Sequence, residues 1–542
     1  MANREPLTES HFRPDGSGPA LLDGVAIGDL LRQAAAEVPD REALVEGIAD
    51  AAARRRWTYA ELLADAEATA HLLLAHFRPG ERVGVWAHNL PEWIVLEYGA
   101  ALAGITLVTL NPSYQPAEAS YVLGQSRAAG VFVVPEVRGN PIGAFAEEIH
   151  PDLPELREVL RLDELIPTAR AVSRAGDLPV VEPATPAQIQ YTSGTTGFPK
   201  GATLTHHSVL NNALMWSDWV ELPQGGRALG AMPLFHTGGC VMGVLGALHQ
   251  RMTIVLLPGF DPGLWLQLIE EERVAFAAGV PTMLIAVMSH PDLATRDVSV
   301  WESTVSGGAQ VPEALVRQIE STLGIDFTIV YGQTECSPVI TNTRRDDSAE
   351  DKGTTVGPPL PHTEVRIVDP VTLETMPLGV SGELWVRGYL TMIGYFDKPE
   401  DTAATLLDDG WLRTGDLATM DERGYCRIVG RLKDMIIRGG ENLFPAEIEE
   451  VLYRHPGVAE VAVVGLPDET WGEIVGAFVR PTDPASPPTV AELRAFCREH
   501  LSPQKTPSAW FTVDGYPLTG SGKIQKFAVR DSWSSGDYDA LD

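Results

Sequence analysis

The sequence predicts an α/β protein of at least two domains, and three observations carry that prediction. Its 542 residues exceed what a single hydrophobic core supports. From Trp57 onward helical and extended apolar patterns alternate, as parallel strands with covering helices require. Between Thr354 and Gly430 the texture changes to short strands cut by Gly, Pro and Asp, and a compact α/β segment follows Arg431.

Each element has a local reason. Residues 1–20 are polar and rich in Pro and Gly, which predicts a flexible arm. Thr58 caps a helix running through Leu74, Arg82–Ala87 is a short buried strand, and Pro91 opens a helix through Ala103. Thr106–Leu110 is the next strand. Gln188–Tyr191 enters a glycine-rich loop at a strand-to-helix junction, and a helix beginning near Thr205 leaves it with Val209, Leu210, Ala213 and Leu214 on one apolar face. Glu364–Val368, Gly382–Arg387 and Tyr425–Val429 form the β-rich stretch, a small barrel or sheet. Beyond a boundary at Gly430–Asp434, a helix from Pro445 and another over Val490–Glu499 flank a strand at Val458–Val464.

Composition excludes several functions. A formal net charge of −32 argues against a nucleic-acid or anionic-membrane partner, which would want a basic face. The four cysteines are far apart with no C-x-x-C pair, so neither zinc nor a disulfide framework is indicated, and a reduced cytoplasmic setting fits. The first ten residues lack the apolar core of a signal peptide. The longest apolar run, near Tyr98–Leu110, is too short and too broken by glycine to span a bilayer.

Residues Tyr191 to Ala202 read Tyr-Thr-Ser-Gly-Thr-Thr-Gly-Phe-Pro-Lys-Gly-Ala. Gly194, Gly197 and Gly201 let the backbone turn successive N–H groups toward one anion, Thr192, Ser193, Thr195 and Thr196 add hydroxyl donors, and Lys200 adds a point charge. That is the chemistry of a polyphosphate cradle. It is not a Walker A loop, because Gly201 and Ala202 follow Lys200 where a magnesium-holding Ser or Thr would stand.

Further clusters have the residue types that nucleotide chemistry needs. Ser306-Gly307-Gly308-Ala309 offers bare backbone on which a flat ring could lie. Tyr331-Gly332-Gln333-Thr334-Glu335 supplies an aromatic face, a hydroxyl and a carboxylate, and Glu335 is a candidate Mg2+ ligand. Asp416, in Trp411-Leu-Arg-Thr-Gly-Asp, has two acceptor oxygens for a ribose diol, and Lys523 ends the turn Pro517-Leu-Thr-Gly-Ser-Gly-Lys. Alone, each is weak: an Asp after Gly is usually a turn residue, and a Lys among glycines a solvated charge.

In this order, with Met232-Pro-Leu-Phe-His-Thr-Gly-Gly and Gly430-Arg-Leu-Lys-Asp-Met-Ile-Ile-Arg-Gly-Gly-Glu-Asn, the motifs resemble those of the adenylate-forming superfamily, and most its fatty acyl-CoA synthetase branch. The resemblance runs from about Trp57 to Phe527. It implies a large domain over 21–430 built of two α/β subdomains plus a small β-barrel at about 354–430. A hinge at 431–434 and a small mobile α+β domain over 435–542 would follow.

The activity so implied has two steps. A carboxylate attacks the α-phosphorus of ATP to give an acyl-adenylate and pyrophosphate, and the thiol of coenzyme A then displaces AMP. Carried over to this sequence, Lys200 and the loop hydroxyls hold the β,γ-phosphates, Thr334 meets the α-phosphate and Glu335 holds Mg2+. Gly308, Ala309 and Tyr331, with Gly332 and Gln333 of the same motif, flank the adenine, while Asp416 and Arg431 take the ribose. Lys523 bridges carboxylate and α-phosphate in the first step only. The small domain then turns about Lys433 and brings in Arg438, Gly439, Gly440 and Glu441 to line a pantetheine tunnel.

His236 stands where amino-acid-activating domains carry an aspartate, which argues against α-amino acids and gives His236 a pocket-edge or gate role. Cys336 reads as a packed thiol and His206-His207 as the start of a helix. The glycine-rich helix Gly238–Gly246, with Trp216, Met232, His236, Met242 and Gly307, predicts an apolar acyl pocket suited to a medium- or long-chain fatty or aryl acid. A carrier protein, an amine or nitrite as the acceptor is the alternative. The oligomeric state stays open, a dimer included.

Overall fold

The computed structural model describes residues 5–174, 176–192, 199–309, 311–439, 441–518 and 524–541. Four sheets organise them. In the first, five parallel strands run in the order Pro186–Thr192, Thr106–Leu110, Arg82–Trp86, Gly130–Val133, Glu158–Arg161, and two antiparallel strands, Lys200–Thr205 and Gly394–Tyr395, extend its edge. The second has six parallel strands, from Asp326–Gly332 through Ser303–Gly307 to Glu42–Glu46, with antiparallel strands at both edges.

Where the β-rich stretch was expected lies a five-stranded antiparallel sheet: His11–Phe12, Thr363–Val368, Gly382–Gly388, Leu412–Met420, Cys426–Arg431. Residues from Ile436 onward build a further sheet around the long hairpin Val458–Asp468/Gly472–Pro481, covered by helices Pro445–Tyr453, Val490–His500 and Lys526–Ser535. Separate apolar clusters fill its two faces, one around Ile448 and Val463, the other around Phe478 and Val529. Among the described residues no helix is long and apolar enough to cross a membrane.

Local chemistry sets these elements. Helix Tyr59–His76 starts on a reciprocal capping box between Thr58 and Glu61, worth about 1 kcal/mol. Pro91 opens helix Pro91–Ala103 and Gly104, at φ +66°, closes it. Every residue of that helix is buried, so its two carboxylates need partners. Glu92 takes the Arg55 guanidinium and Glu97 accepts from Gln188 Nε2 at 2.7 Å.

Two expectations are corrected. The glycine-rich loop does not join strand to helix: Lys200–Thr205 returns antiparallel to Pro186–Thr192, with Thr192 opposite Lys200, and helix His206–Trp219 starts only afterwards. Thr203 and Thr205, β-branched residues after Lys200, suit an extended strand better than a first helical turn. Nor is all of residues 1–20 a loose arm. Ser10 and Phe12 are buried, His11–Phe12 pairs with Arg366–Val365, and His11 Nε2 lies 2.8 Å from Glu364 Oε1. The isolated Phe12, read as loop because its neighbours are polar, fills the space beside Gly424, which has no Cβ to occupy it.

Candidate functional site

The site forms at the carboxyl ends of two neighbouring parallel strands, Ser303–Gly307 and Asp326–Gly332, the customary ligand position of an α/β sheet. Gly307 lies opposite Val330 there, and Gly308 (φ +75°) with Ala309 continues outward, both exposed. Past the second strand the chain turns sharply. A Cβ on Gly332 would stand 1.9 Å from the Pro338 carbonyl oxygen, so only glycine lets the strand bend back beneath that carbonyl. The Gln333 N–H donates to the same oxygen at 2.9 Å, and Thr334–Cys336 follow as one tight helical turn.

A cleft of about 320 Å3 is lined by Gln333, Glu335, Glu383, Tyr395, Arg413 and Thr414, and two polar clusters are built around Asp416 and Glu335. In the first, Tyr331 Oη donates to Asp416 Oδ2 at 2.8 Å, and Arg431 Nε donates to Asp416 Oδ1 at 3.1 Å. Asp416 and Arg431 are direct partners on adjacent strands, and Asp416 is buried. In the second, Tyr395 Oη donates to Glu335 Oε1 at 2.8 Å, and the Lys200 ammonium sits 5.3 Å from the centre of the Tyr395 ring while bonding to Asp401. Burial raises the Glu335 carboxyl above the ordinary carboxylate range.

The residue types fit a magnesium ion held at Glu335. Among the described residues no group of three or more His, Cys, Asp or Glu converges on one point. Mg2+ asks for less, keeping several waters and binding through one or two carboxylates plus substrate phosphates.

Of the residues predicted from sequence, the structure brings together Thr192, Lys200, Tyr331, Gly332, Gln333, Thr334, Glu335, Asp416 and Arg431, with Gly308 and Ala309 at the neighbouring strand end. Ser193, Gly194, Thr195, Thr196 and Gly197, as well as Gly440 and Lys523, lie outside the described residues. Lys433 sits in the short turn Leu432–Asp434 between the third sheet and the last. Arg438 and Glu441 are paired across a small hairpin; Arg438 Nη1 donates to the Gln504 carbonyl at 2.9 Å and lies over the Trp471 ring. Gly439 takes φ +60°, and a Cβ there would press within 2.7 Å of that same indole.

Trp216, Met232 and Met242 line one apolar cavity of about 30 Å3 with Gly238, Gly243 and Phe276. Its floor is the predicted glycine-rich helix, wound as a π-helix over Gly238–Leu245, a form that recurs at functional sites. Two members of the predicted pocket stand apart. Gly307 is not part of this lining; it ends the parallel strand Ser303–Gly307, opposite Val330. His236 lies beside the lining, its Nδ1 accepting from the Gly238 N–H at 3.1 Å. Cys336 is a buried free thiol raised by burial, and His206 begins its helix, as expected.

Sequence reasoning missed Tyr395, Asp401 and Glu383. The buried Glu383 carboxylate accepts from Trp385 Nε1 at 2.8 Å and from the Gly415 N–H at 3.2 Å, fixing the turn that presents Asp416. Gly-Tyr in 394–395 and Gly-Glu in 382–383 gave no short-range signal, because, Trp385 apart, the partners named here are tens to hundreds of residues away.

A loop of non-Walker spacing, with the part-buried Glu335 and the buried Asp416 beside the carboxyl ends of parallel strands, suits a nucleotide-dependent enzyme, and comparison with known proteins gives the class. The AMP-binding enzyme pattern matches residues 31–396 and the AMP-binding enzyme C-terminal domain matches 447–523; the chain belongs to the AMP-binding enzyme family. YngI of Bacillus subtilis (strain 168), which carries an acyl-CoA synthetase name, is 39% identical over 93% of this chain and 96% of its own length. The medium-chain acyl-CoA ligase ACSF2, mitochondrial, of Bos taurus is 38% identical over 94% of this chain and 88% of its own. The crystal structure of ATP-bound MatB from Rhodopseudomonas palustris superposes with a TM-score of 0.84 at 30% identity, covering 93% of this chain and 99% of that one. The protein is an AMP-forming acid–CoA ligase, with ATP, a carboxylic acid and coenzyme A as its substrates.

Proposed function

We propose that the enzyme activates acids with an uncharged apolar tail, medium-chain fatty acids first among them, and passes the acyl group to coenzyme A. One observation carries the choice of acid: the cavity bounded by Trp216, Met232, Met242 and Phe276 has no charged side chain in its wall. The medium-chain name of the ACSF2 relatives agrees with it. At about 30 Å3 the space is far smaller than the ~150 Å3 that holds a benzene ring. Entry of a tail therefore requires the two methionines, flexible and adaptable side chains, to move aside.

In the first step a carboxylate oxygen attacks the α-phosphorus and pyrophosphate leaves with the electrons of the broken P–O bond. Two anions must meet, so the protein contributes position and opposite charge. Lys200 and the hydroxyls of Thr192, Ser193, Thr195 and Thr196 grip the β,γ-phosphates. Thr334 meets the α-phosphate, Gly308, Ala309 and Tyr331 seat the adenine, and Asp416 with Arg431 holds the ribose. Mg2+, when held at Glu335, would neutralise phosphate oxygens. Lys523 joins the incoming carboxylate to the α-phosphate. In the second step the small domain turns at Lys433, the thiol adds to the acyl carbon along the backbone of Gly439 and Gly440, and AMP departs, with His236 at the edge of the acyl pocket. Four free, buried thiols suit a reducing compartment such as the cytoplasm.

Pyrophosphate release measured over straight-chain acids, benzoates and dicarboxylates, with and without coenzyme A, tests the assignment. Highest kcat/KM on medium-chain fatty acids supports it. A preference for a charged or amino-bearing tail would overturn it.

A further inference from the structure

The Lys200 side chain is held by a segment that none of the nucleotide motifs contains. Strand Gly394–Tyr395 pairs with the Lys200–Thr205 strand, and the Phe396 N–H donates to the Gly201 carbonyl at 2.8 Å. The next turn carries Asp401 on the short helix Pro399–Thr405, whose carboxylate meets Lys200 Nζ at 2.5 Å. The ammonium also lies over the Tyr395 ring, and Tyr395 in turn bonds Glu335. One stretch of twelve residues, 394–405, thus holds both the lysine and the Glu335 carboxylate of the cleft. The ion pair is partly open to solvent, at 24% and 37% side-chain exposure, so an incoming anion can reach it.

We propose that Asp401 is a positioning residue that keeps the Lys200 ammonium at the rim of the cleft in the nucleotide-free enzyme and competes with polyphosphate for it. The proposal rests on the reading that Lys200 grips the β,γ-phosphates. A lysine has three donors but one flexible stem, so it cannot keep a carboxylate at hydrogen-bond distance and follow a phosphate toward the loop without loosening the first bond. Binding of ATP is therefore an exchange of one anion for another on the same cation. That competition weakens ATP binding and favours release of the pyrophosphate product.

Asp401→Asn removes the competitor while keeping the size and hydrogen-bonding reach of the side chain. The expected result is a roughly fivefold fall in KM for ATP, about 1 kcal/mol, the upper range for a half-exposed pair. KM for the acid should not move, and inhibition by added pyrophosphate should tighten by a similar factor. Lys200→Met should raise KM for ATP, and Asp401→Asn placed on top of Lys200→Met should add nothing. An unchanged or raised KM for ATP in Asp401→Asn would overturn the proposal, as would a fall that persists without Lys200. If Lys200→Met leaves KM for ATP at the wild-type value, the underlying phosphate assignment fails instead.

Discussion

Gly332→Ala adds one methyl group to the cleft, and its cost follows from three distances. The new Cβ would lie 1.9 Å from the Pro338 oxygen, 2.8 Å from its carbonyl carbon and 3.0 Å from Val339 Cα, all of them backbone. No side chain can rotate away, so the two strand ends must open by about 1.5 Å to reach ordinary contact. That movement also breaks the Gln333 N–H bond to Pro338, which sets where Thr334 and Glu335 point. A 1 Å displacement of a positioned group costs about 10²-fold in rate. Adenylation, followed by ATP–pyrophosphate exchange, should fall by ~10²-fold or more. Gly324→Ala is the control: this residue closes helix Glu313–Leu323 at φ +69° with nothing within 4 Å of a Cβ. It should lower stability by roughly 1 kcal/mol for the left-handed backbone and leave exchange near wild type. Wild-type exchange in Gly332→Ala, or equal losses in the two variants, would refute the argument that the Pro338 carbonyl sets the geometry of the cleft.

Lys523→Ala should cut adenylate formation by ~10²-fold while thioester formation from supplied acyl-adenylate falls much less, measured in separate half-reactions; equal losses would rule out a lysine used in one step only. Met242→Ala removes three heavy atoms from the apolar cavity wall and should shift the preferred acid to longer chains by about two methylenes, each worth roughly tenfold or more in kcat/KM. An unchanged chain-length profile would place the acyl tail elsewhere. Burial holds the His206 imidazole down at about 4 against an ordinary 6.5, opposed in part by Asp29. The neutral ring is the folded form, so its contribution to stability is full above pH 6.5 and is lost as the pH falls toward 4, on the order of 3 kcal/mol. Thermal unfolding at pH 7.5 and pH 5 should show a smaller acid-induced drop in His206→Leu than in wild type; an identical drop would deny His206 that role.

Much of the fold was legible because the signals were local. Thr58 with Glu61, Pro91 with Gly104, and the alternation around Thr106 each fix an element within a few residues. The site was legible in pieces: Tyr331–Glu335 and Asp416 carry their chemistry in adjacent positions, and the sheet then brings Tyr331 onto Asp416. What could not be read depends on contacts across long stretches of chain. Nothing near Tyr395 says that it will bond a carboxylate 60 residues earlier, and nothing near Asp401 points to Lys200, 201 residues away. The hairpin at Lys200 escaped for a different reason. Its second strand is only six residues long, two of them Thr, and a helix follows at once, so the periodic signal of the helix swamped it.

The His11–Phe12 strand has a consequence in time rather than in space. Its partners, Val365 and Arg366, lie some 350 residues later in the chain. At ~5–20 residues per second of synthesis, this segment waits roughly 20–70 s before the strand it completes exists. Phe12 stays exposed for that interval, and Gly424 has no ring against it. The first residues made thus end beside Gly424, in the turn of the later-made hairpin that aligns Asp416 with Arg431. Loop-closure entropy grows only slowly with length, so the delay, and not the distance, is the larger burden of tying the two ends of the large unit together.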